Sequence, residues 1–203
     1  IAGKYTDLAD SYISIYEALS HCGAHLETKV SIEWIETSTI ETSEDAAKAL
    51  SCCDGVIVPG GFGTRGTEGK IKAIQHCREN NIPFLGICYG LQLAVIEHAR
   101  HLCSLDKANS TEIKEETPHP VVDILPEQKE VTDKGGTMRL GSYEAHLAKG
   151  KIISKLYGSD VVYERHRHRY EVNPEYHIQL EQNGLLFAGT SPDGKLVEFI
   201  ERE

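Results

Sequence analysis

No apolar run in this 203-residue chain approaches the ~18–20 residues that a membrane-spanning helix needs, and its first residues show no signal-peptide pattern. A membrane partner is therefore not expected. Basic residues are in the minority, 21 Lys and Arg against 31 Asp and Glu, for a formal net charge of -10. Phosphate contacts call for a basic surface, so the charge argues against a general nucleic-acid binder, and no nucleic-acid partner is expected. The cluster Arg165, Arg167 and Arg169 is a local exception. CxxC spacing is also missing. Cys22, Cys52, Cys53, Cys77, Cys88 and Cys103 are scattered, which argues against a disulfide scaffold and leaves a zinc site without paired ligands, so no metal is expected. Most of these thiols read as small buried hydrophobes in a reducing compartment, the cytosol by default. Repeats and low-complexity segments are absent.

What is present is an α/β pattern. The 203 residues, 40% hydrophobic, suffice for one domain with a substantial core. Lys29–Ile35 alternates in strand fashion, and Gly55–Val58 and Pro83–Ile87 are short apolar runs that suit buried parallel strands. Helical candidates lie between them, at about 12–21, 43–50, 67–80 and 89–102. Ile71, Ile74 and Cys77 give the third helix one apolar face. This alternation predicts a central, mostly parallel sheet flanked by helices, of flavodoxin-like type. After about Thr111 short β runs dominate: 121–125, 137–140, 161–163, 185–189 and 196–201. They read as antiparallel strands added to the sheet edge. Pro174 opens a short helix, and Gln128–Gly136 is the expected mobile surface loop.

Gly86-Ile87-Cys88-Tyr89-Gly90 falls where a buried strand gives way to a helix. Its spacing is that of a nucleophile elbow, G-x-nucleophile-x-G. The sharp turn needs glycines because side chains beside the nucleophile would clash. The thiol then lies at the carboxyl end of a strand, where open α/β sheets bind ligands, and at a helix N-terminus, which favours thiolate. The Tyr89 amide is aimed at a developing oxyanion. A chance match around a buried cysteine is the bland alternative, and the strand before and helix after argue against it. A second cluster, Pro59-Gly60-Gly61-Phe62-Gly63-Thr64-Arg65-Gly66, follows the strand ending at Val58. Successive glycines let backbone N–H groups approach a ligand. A flexible loop and a phosphate cradle are alternatives. No Walker lysine-serine pair follows, so a second oxyanion donor is the better reading.

With these motifs the sequence resembles the class I glutamine amidotransferases and, within them, the glutaminase domains of CTP synthases. The Pro-Gly-Gly loop and the elbow from Gly86 to Gln92 belong to the class. The stretches 60–71, 82–83 into the elbow, 108–112, 135–141 (Gly-Gly-Thr-Met-Arg-Leu-Gly) and 164–173 (Glu-Arg-His-Arg-His-Arg-Tyr-Glu-Val-Asn) point to the narrower group. They occur in the family's order over nearly the whole chain.

The resemblance implies that Cys88 attacks the glutamine side-chain amide and forms a glutamyl thioester, which water resolves after ammonia departs. Gly61 and Tyr89 would supply oxyanion amides. Gly90, Leu91, Gln92 and Glu112 would line the glutamine site, with Glu112 on the α-ammonium. Arg169 and the Tyr170 backbone would take the α-carboxylate. His166 and His168 are expected to be ordinary members of an alternating strand. No cofactor is expected in this domain. ATP and Mg2+ would act in a separate synthase domain that converts UTP to CTP, GTP would activate the glutaminase step, and the Arg65 loop resembles the lid linked to that response. The full-length enzyme is expected to be a homo-oligomer.

Two departures stand out. Tyr89 occupies a position where CTP synthases usually carry leucine. The family's His-Pro-Glu motif, source of the general base and its orienting carboxylate, does not occur within residues 1–203. His25-Leu26-Glu27 is the one His-x-Glu present and lies in the wrong context. The resemblance therefore implies a glutaminase domain, residues 1–203, truncated at both ends and without its synthase domain. A stand-alone γ-glutamyl hydrolase of the same fold and a degenerate, non-catalytic amidotransferase module are the alternative functions.

Overall fold

The computed structural model describes residues 1–6, 8–124 and 139–202, and the chain divides into two units, Ile1–Ala94 and Val95–Glu203. Both motifs of the first half lie in the first unit. Its strands pair in parallel: β1 (Ala2–Gly3) with β2 (Ile35–Glu36), and β3 (Val56–Val58) with β4 (Phe84–Gly86). Its helices are α1 (Ile13–His25), α2 (Ser43–Leu50), α3 (Thr67–Glu79) and α4 (Tyr89–His101), the last crossing the unit boundary. All four helices match the periodicity reading to within a few residues.

Local chemistry explains the starts. Thr42 caps α2 by accepting from the Asp45 amide, while Asp45 accepts from the Thr42 amide, a full capping box. Ile71, Ile74 and Cys77 of α3 are buried as their spacing requires. One expectation needs correction. Within Lys29–Ile35 only Ile32 and Trp34 are half-buried between exposed neighbours, Val30 is exposed and Ile35 is buried beside Trp34. Only Ile35 and Glu36 are paired, because β1 offers two residues of partner backbone. A strand is defined by its neighbour's hydrogen bonds, which alternation alone does not supply.

The second unit is mainly antiparallel. The sheet order is β11–β10–β7–β8, with β7 (Arg139–Leu147), β8 (Val161–His168), β10 (Leu185–Thr190) and β11 (Val197–Arg202). The pairing of β7 with β8 runs from Arg139 opposite His168 to His146 opposite Val161. A smaller sheet joins β5 (Asn109–Ser110) in parallel to β6 (Pro120–Ile124), which pairs antiparallel with β9 (Tyr170–Val172). Two short helices, α5 (Ile152–Tyr157) and α6 (His177–Gln182), complete the unit. The reading found no helix at α5, which spans only six residues. Pro174 does open the turn leading into α6. Ala145, Leu147 and Val162, with Ile153 and Phe199 against them, form an apolar cluster. The expected loop 128–136, and Gly135–Met138 of the Gly-Gly-Thr-Met-Arg-Leu-Gly stretch, lie outside the described residues.

Candidate active site

Strand β4 ends at Gly86 and α4 begins at Tyr89, so two residues make the whole turn. Cys88 sits in it with φ 54°, a left-handed conformation that non-glycine residues rarely adopt. Such strain persists only where the surroundings over-determine it, and it gathers at functional sites. Here they do. A Cβ on Gly86 would lie 2.6 Å from the Gly90 carbonyl carbon, and one on Gly90 would lie 2.1 Å from the Val58 oxygen. Both glycines are required by space. The Ile87 amide donates to Val58 O (3.0 Å), the Gly90 amide to Ile87 O (2.9 Å) and the Gln92 amide to Cys88 O (3.1 Å), which closes the turn into the helix. Cys88 is half-buried.

The glycine loop meets this turn. A Cβ at Gly60 would be 3.7 Å from the Cys88 Cβ, so the loop's first glycine lies directly against the cysteine. A Cβ at Gly61 would touch the Tyr89 ring and the Lys70 Nζ, each at 3.9 Å. Gly63 and Gly66 have φ of 75° and 70°. The loop is tied from below: Lys4 Nζ donates to Phe62 O, and the Arg65 guanidinium donates to Lys4 O. Arg65 is otherwise exposed and lies 5.3 Å from the Tyr5 ring centroid.

Lys70 was missed by the sequence reading. It is fully buried on α3, its ammonium 5.3 Å from the Tyr89 ring centroid, with no hydrogen-bond partner among the described residues. Burial, and then repulsion from Lys4, push its pKa down to about 8. A lysine inside an amphipathic helix reads as a solvated face, and only packing shows otherwise.

Gln92, also in the first unit, is buried on α4. Gly90 is buried and Leu91 half-buried beside it. Glu112, Arg169 and Tyr170 belong to the second unit. There the Glu112 amide donates to Ser110 Oγ (3.1 Å). The Tyr170 phenol is pushed above its usual pKa by burial, then by the Glu112 charge, with Arg169 opposing. The three residues thus share one electrostatic neighbourhood.

Strand β8 alternates as expected, with Arg165 and Arg167 exposed and His166 and His168 turned inward. The two histidines are more than strand residues, and this is a correction. The buried Arg139 donates to Glu198 (2.7 Å) and to Glu171 (3.3 Å). His166 Nε2 is 3.4 Å from Glu198, His168 Nδ1 is 3.3 Å from Glu171, and His166 Nδ1 contacts His168 Nε2 at 2.8 Å. One guanidinium faces two carboxylates, so one further proton balances the cluster. A doubly protonated His168 can donate to both Glu171 and His166, leaving His166 neutral and donating toward Glu198. The pKa directions agree. Burial lowers His166, whereas for His168 burial is outweighed by the hydrogen bond and charge of Glu171 together with the Tyr170 carbonyl, and the pKa is raised.

Among the described residues no helix is long and apolar enough to cross a membrane. The family model described as glutamine amidotransferase class-I matches residues 7–203. The chain is 60% identical over 206 residues to a CTP synthase of Methanocaldococcus jannaschii, covering 99% of this chain and 38% of that protein. It is 59% identical over 208 residues to one from Methanococcus maripaludis, covering 100% and 39%. The chain therefore spans about two fifths of the length of these relatives. Its fold is similar to the Trypanosoma brucei CTPS glutaminase domain with bound acivicin, at a TM-score of 0.88 and 38% identity over 100% of this chain and 77% of that one. The chain belongs to the class-I glutamine amidotransferases and, within them, to the glutaminase domains of CTP synthases.

Proposed function

We propose that this chain hydrolyses glutamine at Cys88 and that the ammonia serves an ATP-dependent conversion of UTP to CTP elsewhere in the protein. The Cys88 thiolate attacks the γ-carboxamide carbon. The tetrahedral oxyanion collapses, the C–N bond breaks, and ammonia leaves with an added proton. Water then cleaves the glutamyl thioester to glutamate and regenerates the thiol. Gly61 and Tyr89 amides stabilise the oxyanion. Gly90, Leu91, Gln92 and Glu112 hold the substrate, Glu112 on its α-ammonium, and Arg169 with the Tyr170 backbone takes its α-carboxylate. The observation that carries this reading is the strained Cys88, locked between two glycines that admit no side chain, with Gly60 packed against it.

The rest of the reading concerns the whole protein. ATP and Mg2+ act at its synthase domain, GTP activates the glutaminase step through the Arg65 loop, and the enzyme is a cytosolic homo-oligomer. The six free cysteines fit a reducing compartment. General-base assistance is worth ~10²–10⁴-fold, so residues 1–203 alone, without a His-Pro-Glu motif, are expected to turn glutamine over that much more slowly.

Acivicin, present in the Trypanosoma brucei structure, provides the test. Mass spectrometry is expected to map its adduct to Cys88, with glutamine slowing the reaction. Labelling that glutamine leaves unchanged, or that falls on another cysteine, overturns the proposal.

A further inference from the structure

Tyr89 follows the cysteine directly, and its ring is 2% exposed, beneath the glycine loop. The phenol reaches across to that loop. Its Oη donates to Gly63 O at 2.7 Å and lies 3.0 Å from Thr67 Oγ1, which is itself 3.1 Å from Gly63 O. Two hydroxyl protons therefore serve a closed triangle of oxygens. The tyrosine proton goes to the Gly63 carbonyl, and the threonine proton goes to that carbonyl or to the phenol oxygen. The ring touches the Gly61 position as well.

The loop needs such a tie. Four of its seven residues from 60 to 66 are glycine, and glycine loses more conformational entropy on ordering than any other residue. We propose that the Tyr89 side chain is a positioning group for glutamine hydrolysis, pinning the Gly60–Gly66 loop so that the Gly61 amide stays in place beside Cys88. This rests on the glutaminase reading and adds a side-chain role to the residue after the nucleophile. The phenol touches neither substrate nor reacting atoms. It acts through the loop, and its effect belongs to the step in which negative charge develops.

Tyr89→Phe removes the hydroxyl and keeps the ring. In the protein that carries this chain, glutamine kcat is expected to fall ~5–10-fold, the consequence of losing one neutral hydrogen bond of about 1 kcal/mol. KM for glutamine should stay within about twofold, since uniform binding is untouched. Alkylation of Cys88 by iodoacetamide forms no oxyanion and should keep its rate. Amide hydrogen exchange across residues 60–67 should accelerate while β3 and α3 keep their protection. Thr67→Val should produce the same pattern, with the double variant little worse than either single. Unchanged kcat and loop exchange in Tyr89→Phe overturn the proposal, as does a parallel fall in alkylation and turnover. Failure of the unsubstituted protein to hydrolyse glutamine would instead overturn the glutaminase reading, while loop exchange still reports on the contact itself.

Discussion

Around Cys88 the first unit works with backbone, whereas around Arg139 the second works with charge. At the elbow, the nucleophile's setting comes from what is excluded: no side chain fits at Gly86 or Gly90, and the main chain closes its own hydrogen bonds. In the second unit, Arg139, Glu171, Glu198, His166 and His168 converge from four strands into a buried cluster. The first arrangement needs five consecutive residues and one neighbouring strand, whose Val58 oxygen accepts from the Ile87 amide and leaves no room for a side chain at Gly90. The second exists only after distant strands have paired. A steric device of this kind fails abruptly when one atom is added, while a charge cluster fails when one partner is removed.

The comparison can be broken most severely at the elbow. Cys88→Ala is expected to lower glutamine turnover by ~10⁴-fold or more without moving the urea midpoint, as steady-state ammonia release and denaturation would show. In the second unit Arg139→Met strands two buried carboxylates, and loss of one partner of a buried pair costs about 3–5 kcal/mol. Urea denaturation measures it. Exchanging Arg139 and Glu198 together for apolar residues should recover much of that loss. A single variant no less stable than the parent would mean that the cluster contributes nothing.

Lys70 sharpens the contrast, since it is a buried charge in the backbone-driven unit. Its folded pKa, about 8, lies below the ordinary 10.5, so the charged form is disfavoured on folding. The lysine's full contribution to stability is present above about pH 10.5 and lost as pH falls to about 8. Lys70→Met should therefore stabilise at pH 7 by on the order of 3 kcal/mol, with the gain shrinking between pH 8 and 10.5. A gain independent of pH would attribute it to packing instead. The smallest effect is expected at α2, where Thr42→Ala removes the capping box and should cost about 1 kcal/mol in thermal or urea unfolding.

Legibility follows the range of the interaction. The elbow, the glycine loop and α1 to α4 were readable because spacing, caps and required glycines are properties of consecutive residues. The short parallel strands β3 and β4 were readable as apolar runs beside glycine, but only β3 is buried as expected, and Leu85 of β4 is exposed. The strand expected over Lys29–Ile35 shrank to Ile35 and Glu36, because alternation says which face is apolar and nothing about whether a partner is present. Lys70 gave no signal, its surroundings being composed of Lys4, Tyr89 and the loop. His166 and His168 read as ordinary members of an alternating strand, because their carboxylate partners come from β9 and β11.

The amino-acid order by itself determined that Cys88 would stand at a strand-to-helix turn, since an apolar run precedes it, a helical pattern follows and glycines flank it at elbow spacing. That Gly90 admits no side chain was decided by Val58 of the neighbouring strand. Tertiary structure alone decided what surrounds that turn: Gly60 against the cysteine, the Tyr89 phenol on Gly63, and Lys70 buried beneath both. Those contacts join residues far apart in the chain, and their distances exist only once β3 and β4 have paired and α3 has packed.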